Sequence, residues 1–143
     1  MRLLVINGVN LNMLGIREQD IYGTRSYKEL CHFIKKCSKE ENVKVKLYFS
    51  NYEGDIVTTI QKAKNRYDGI IINPGAYSHY SIAILDALKA VDIPAIEVHL
   101  SDVEKREEFR ETLITAQACF KVIKGKGFEG YKIAIQEMKK RLG

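Results

Sequence analysis

The chain has 143 residues, 45% of them hydrophobic and 29% charged, with a formal net charge of +5. That size suits one domain with a core of its own, and the balance of apolar and charged residues argues against a disordered chain or a coiled coil. No apolar run reaches the roughly 18 residues of a membrane span, and the opening MRLLVING turns polar too early for a secretory signal, so the expectation is a cytoplasmic protein without a membrane partner.

Arg2 to Asn7 is a continuous apolar run, as in a strand buried on both faces of a parallel sheet. From Gly8 to Arg25 no helical or strand period follows. A loop that long inside a compact domain is usually functional when ordered, and Asn10, Asn12, Arg17 and Tyr22 give residues 8–25 the polar content of a lid. Ser26 and Glu29 form a capping box ahead of Leu30, Phe33, Ile34 and Cys37 at helical spacing. Val43, Val45, Leu47 and Phe49 alternate with Lys44, Lys46 and Tyr48, so the second strand has one wet face and belongs at a sheet edge. A second capping box, Ser50 with Glu53, opens a helix whose inner face is Ile56, Ile60 and Ala63.

The stretch from Gly69 to Ser81, GIIINPGAYSHYS, is the centre of the chain. Its apolar run breaks into Asn73, Pro74 and Gly75, which force a turn, and the hydroxyls of Ser78 and Ser81 can cap the next helix. Asn73 and His79 are left facing whatever sits above the sheet edge. Ile82, Leu85, Leu88 and Val91 make the inner face of that helix, and Ala95 to Leu100 is a fourth strand. A third capping box, Ser101 with Glu104, precedes a short charged helix around Glu107 to Arg110. A fifth strand near Cys119 to Lys124 and a final helix marked by Tyr131, Ala134, Ile135, Met138 and Leu142 complete the chain.

Five β-α units in strict alternation predict an α/β fold: one domain over residues 1–143, a flavodoxin-like three-layer sandwich around a five-stranded parallel sheet of order 2-1-3-4-5. The switch point then lies between the first and third strands, where open α/β sheets bind ligands. Asn7, Asn73, His79, Glu97, His99 and Ser101 all leave strands over that crevice.

Glu97 and His99 stand two apart on a strand and share a face, so the carboxylate can hold one imidazole nitrogen and orient a general acid or base. An interior pair joined for structural reasons gives the same pattern. His79, His99 and Glu97 could in principle bind zinc, but Glu97 is better placed to support a histidine than to ligate, and the expectation is no metal. Arg17 and Tyr22 make sense together, because a guanidinium can stabilise a phenolate and turn a group of pKa ~10 into a useful base. Gly125, Gly127 and Gly130 spell GxGxxG, yet no further strand follows to complete a dinucleotide-binding unit, so they read as a tight turn with close helix packing and no cofactor. Three cysteines without a CxxC spacing read as small buried thiols. The lysines are scattered and gather in helix C-terminal turns without an aromatic stripe, which argues against a nucleic-acid partner.

The segments NGVNLNMLGIREQDIYG, NPGAYSHYS, IEVHLSD with REEFR, and GFEGY, in that order over nearly the whole chain, closely resemble the type II 3-dehydroquinate dehydratases. The resemblance implies dehydration of 3-dehydroquinate to 3-dehydroshikimate in the shikimate pathway, by anti elimination through an enolate, with neither metal nor cofactor, in a homododecamer assembled as a tetramer of trimers. It also implies roles. Tyr22, as a phenolate beside Arg17, takes the proton next to the ketone, and His99, held by Glu97, protonates the departing hydroxyl. Asn10 helps hold a water at the enolate oxygen. Asn73, His79, Arg110 and the backbone at Leu100 and Ser101 bind the substrate, and Asp86 reaches in from a neighbouring subunit. Val9, Gln19 and Leu85 stand where that family commonly has proline, proline and arginine. The acids and phosphorylatable aspartate of a receiver domain are replaced here by Asn7 and Asn73, and no Ser/Thr-rich phosphate loop of a flavin carrier follows the first strand.

Overall fold

The computed structural model describes residues 1–16, 18–102 and 106–143, and of Tyr22 the backbone alone. Five parallel strands, β1 (Arg2–Asn7), β2 (Lys44–Phe49), β3 (Gly69–Asn73), β4 (Ala95–His99) and β5 (Lys121–Lys124), form a single sheet in the order β2-β1-β3-β4-β5, as the sequence predicts. Runs of Leu, Val and Ile in β1 and β3 explain the centre, and β4, which alternates Ile96 and Val98 with Glu97 and His99, is buried beside them end to end, whereas edge strand β2 leaves Lys44 and Lys46 in solvent.

Side chains alternate across a strand, so each strand feeds two cores. Leu3, Val5, Ile71 and Val98 face α2 (Tyr27–Glu40) and α5 (Glu129–Leu142), where Leu30, Ile34, Tyr131 and Ile135 meet them. Leu4, Ile6, Ile70 and Ile72 face α3 (Glu53–Lys62) and α4 (Ile82–Val91), against Ile56, Ile60, Ile84 and Leu88. Each of these fully covered aliphatic side chains contributes roughly 1.5–3 kcal/mol of burial. Truncating Ile71 to Ala in the middle of the sheet would cost about 2–5 kcal/mol.

Several local readings hold. Ser26 and Glu29 exchange both capping-box bonds at the start of α2, Ser81 caps α4 through the Ile84 amide at 3.1 Å, and Leu85 is buried on the inner face of α4. The GxGxxG glycines make a turn with positive φ at Gly125 and Gly127, and a Cβ on Gly130 would press on Val98 Cγ1 at 3.3 Å, so that glycine lets α5 lie close on β4.

Others are corrected. Ser50 and Glu53 form no capping box: Ser50 accepts from the Tyr52 amide at 2.9 Å, and Glu53 receives the Ser81 hydroxyl at 2.6 Å, tying α3 to α4. Ser78 bonds the Gly75 carbonyl within a 3-10 turn instead of capping α4. Ile82, expected on the inner face of α4, is 63% exposed: it is the first residue of the helix, and the buried stripe runs through Ile84, Leu85, Leu88 and Val91. Residues 8–25 are not without regular structure; they hold a 3-10 turn at Leu11–Met13 and a single helical turn, α1 (Gln19–Tyr22), too short for periodicity to reveal. Of the cysteines, Cys37 is buried while Cys31 and Cys119 are half-buried. Glu104, and with it the third capping box, lies outside the described residues. Among those described, no helix is long and apolar enough to cross a membrane.

Candidate active site

The carboxyl ends of β1 and β3 stand in register, Asn7 beside Asn73, and the loops leaving β1, β3 and β4 surround a cavity of about 100 Å³. Asn10, Asn73, His79, His99, Leu100, Ser101 and Arg110 all line it, so the structure brings together most of the residues expected to act. Glu97 stands behind His99, fully buried. Asp86 is exposed on α4 and is not part of this wall. Arg17 lies outside the described residues, and Tyr22 is placed only by its backbone at the end of α1.

The two loops at the switch point meet backbone to backbone. Gly8 donates its amide to the Asn73 carbonyl at 2.7 Å, a Cβ on Gly8 would collide with the Pro74 carbonyl, and one on Gly75 would lie 2.5 Å from the Val9 carbonyl. Glycine is required at both places for the loops to cross. Asn10 follows with φ of 69°, its amide held by Asn51 Oδ1 at 2.9 Å.

His99 is 5% exposed, and its Nε2 is 2.7 Å from Glu97 Oε2. The other carboxylate oxygen, Oε1, accepts the hydroxyl of buried Thr115. A carboxylate only accepts, so the proton on this side of the ring sits on Nε2, and Nδ1 is left for chemistry. His79 lies nearly parallel to His99, with ring centroids 6.5 Å apart and planes 25° apart. Its Nδ1 donates to the Thr112 carbonyl at 2.9 Å. Burial holds the His79 pKa below the usual histidine value; the Thr112 carbonyl works the other way, and His99 and Arg110 add to the lowering.

Beneath the cavity lies a buried polar chain. The Tyr131 hydroxyl donates to Asn7 Oδ1 at 2.6 Å and receives Asn73 Nδ2 at 3.1 Å, while Asn73 Oδ1 accepts the Gly75 amide at 3.1 Å. Asn7 Nδ2 reaches the Tyr27 hydroxyl at 3.4 Å. Burial pushes both tyrosines well above the ordinary phenol range, so both stay neutral here, Tyr131 donating to Asn7 and Tyr27 accepting from it.

Two cations border the opening. Arg110 is paired with Glu107 at 2.7 Å and lies over the Phe109 ring, and Arg106, whose side chain is 8% exposed, reaches Glu18 Oε2 at 3.2 Å. Paired guanidinium groups of this kind suit an anionic ligand. Arg106 was not singled out by the sequence reasoning, although it stands four residues before Arg110 in the same REEFR segment. Thr112, Thr115 and Tyr131 were also missed as parts of the site; nothing in a lone threonine on an irregular segment signals such a position. Both oxygens of Glu97 are engaged, and among the described residues no group of three His, Cys, Asp or Glu is placed to hold a metal ion.

Comparison with known proteins agrees with this geometry. The family model described as dehydroquinase class II matches residues 1–139. A 3-dehydroquinate dehydratase of Clostridium acetobutylicum is 51% identical over 142 residues, covering 99% of each chain, and one of Caldicellulosiruptor saccharolyticus is 52% identical over 143 residues with the same coverage. The crystal structure of the type II dehydroquinase from Butyrivibrio crossotus superimposes with a TM-score of 0.95 at 51% identity, covering 97% of both chains. That from Propionibacterium acnes gives 0.93 at 36% identity, covering 97% of this chain and 96% of its own. A chain with this sheet order, this histidine pair at the switch point and these relatives belongs to the class II dehydroquinase family.

Proposed function

We propose that the chain dehydrates 3-dehydroquinate to 3-dehydroshikimate in the cytoplasmic shikimate pathway, the activity for which its relatives are named. The observation that carries this reading is the buried Glu97–His99 pair, with His99 lining a cavity bordered by Asn73, His79 and two arginines.

The reaction breaks a C–H bond next to a ketone and a C–O bond one carbon further on. Tyr22, as a phenolate stabilised by Arg17, takes the proton, and its electron pair moves into an enolate. The enolate re-forms the ketone as the electrons expel the hydroxyl, which leaves as water by taking the Nδ1 proton of His99 in its doubly protonated form; the ring is left neutral, its Nε2–H still on Glu97. Removal and delivery from opposite faces make the elimination anti, with the base on the segment 8–25 acting as a lid and the acid on β4. Negative charge on the enolate oxygen grows toward the transition state, so a water held by Asn10 there lowers the barrier more than it tightens binding. Arg110 takes the carboxylate as a guanidinium does well, while Asn73, His79 and the backbone of Leu100 and Ser101 take the hydroxyls. Asp86, exposed on α4, would complete the site of a neighbouring subunit in a dodecamer built from trimers.

The test follows the ultraviolet absorbance of the conjugated enone on adding 3-dehydroquinate to the purified chain. A rise that survives chelator and borohydride, and that Tyr22→Phe abolishes while the variant remains folded, is the expected outcome. Near-normal turnover in Tyr22→Phe would remove Tyr22 as the base, and no rise with assembled wild-type protein would overturn the functional reading.

A further inference from the structure

We propose that Thr115 is a positioning residue for the acid: its hydroxyl holds the Glu97 carboxylate in the plane that fixes the His99 tautomer. The proposal rests on His99 being the proton donor of the reaction proposed above.

Glu97 is fully buried on β4, flanked in the sheet by Ile72 and Val122, and its two oxygens have different partners. Oε2 faces His99 Nε2 at 2.7 Å, and Oε1 receives the Thr115 hydroxyl. A terminal carboxylate turns easily about its last torsion, and a single bond to His99 would not stop that turn. The second donor does. With Oε1 occupied, Oε2 stays aimed at the ring, the proton on Nε2 is held there in the neutral and the protonated ring alike, and Nδ1 is the nitrogen left to carry the proton that goes to the leaving hydroxyl.

Thr115 is itself held firmly. It is fully buried at the start of the 3-10 turn Thr115–Ala118. The preceding amide, of Ile114, donates to the Ser78 carbonyl at 2.7 Å, and Ser78 lies on the turn that carries His79. Three residues back, the Thr112 carbonyl takes the His79 Nδ1 proton at 2.9 Å. One irregular segment therefore sets the ring orientation of both histidines, one through a side chain and one through the backbone. A threonine is suited to the task because its hydroxyl gives one proton and its methyl fills an apolar site.

The experiment pairs Thr115→Val, which keeps the shape and removes the hydroxyl, with Thr115→Ser, which keeps the hydroxyl and removes the methyl. Two readouts are taken on the full chain: kcat and KM for 3-dehydroquinate, and the His99 tautomer from nitrogen-15 NMR of the ring. Expected are a single Nε2–H tautomer in the wild type and in Thr115→Ser, a mixture in Thr115→Val, a kcat lowered about ten- to hundredfold in Thr115→Val with KM within about threefold, and near-normal kcat in Thr115→Ser. An unchanged tautomer and kcat in Thr115→Val would overturn the proposal. So would a serine variant as impaired as the valine one, which would make the methyl packing the important part. Should Thr115→Val fail to fold, Thr115→Ala against Thr115→Ser gives the same decision. If the wild type does not dehydrate the substrate, the functional reading fails, and the NMR comparison still decides whether Thr115 sets the ring.

Discussion

Tyr131 and Asn7, separated by 124 positions in the chain, are joined by a buried hydrogen bond of 2.6 Å that fastens the last helix to the end of the first strand. The same hydroxyl receives the Asn73 amide at 3.1 Å, so one phenol satisfies both sides of the switch point.

Tyr131→Phe removes that phenol oxygen and leaves Asn7 and Asn73 each short of a buried partner. The expected cost is about 1–3 kcal/mol of stability, read as a lower urea midpoint with an unchanged m-value. KM should rise more than kcat falls, since Asn73 is then less well held for binding.

Alkaline pH should act on the same residue. Burial raises the Tyr131 pKa in the folded chain, whereas in the unfolded chain it returns to about 10. The folded state therefore keeps a proton that the unfolded state gives up, and stability, fully present below about pH 10, falls as pH rises above it. Urea titrations between neutral pH and pH 11 should show this decline, and Tyr131→Phe should flatten it.

His79 gives the opposite dependence at the acid end. Its folded pKa lies below the ordinary histidine value, chiefly through burial, so the unfolded chain binds the proton first as pH falls. Its contribution to stability is complete above about pH 6.5 and is lost as pH drops through the folded value. Carbon-bound ring protons followed by NMR should titrate at lower pH in the folded chain than in urea, and a midpoint at or above the denatured one would contradict the geometry.

Glu97→Gln keeps the size of the side chain and removes its charge. The amide can present either a donor or an acceptor to His99, so the ring is no longer held in one tautomer and its protonated form loses its anion. A fall in kcat of about 10²–10⁴ is expected, with substrate binding by calorimetry reduced far less.

Gly8→Ala tests the crossing of the loops. The added methyl meets the backbone carbonyl of Pro74, which cannot move without breaking the Gly8 to Asn73 hydrogen bond. About 3 kcal/mol of destabilisation or more is expected, at or beyond the upper range for overpacking, and a drop in Tm of several degrees would measure it.

Most of the architecture was legible because long strands leave strong patterns. The strict alternation of β-α units, with apolar runs in β1 and β3 against the alternation in β2, pointed to the flavodoxin-like sheet order and so to the switch point. The Glu97–His99 pair was legible for the same reason, since two positions on one strand share a face. What escaped was set by tertiary contact. Ser50 and Glu53 have the spacing of a capping box, but Ser81 from the next unit competes for the glutamate. Thr115 and Tyr131 act across 18 and 58 positions, on Glu97 and Asn73, and no local pattern announces such a partner. The two turns within residues 8–25 are shorter than any period that could betray them.

An open sheet has two strands with unpaired backbone, and in this chain both borders carry lysine: Lys44 and Lys46 on β2, Lys121 and Lys124 on β5. While the chain is still assembling its long-range parallel pairs, which form slowly, those ammonium groups repel a second copy that would add edge to edge. The same side chains that keep β2 wet thus act as guards against fibrous association, a protection lost first when the lysines are neutralised.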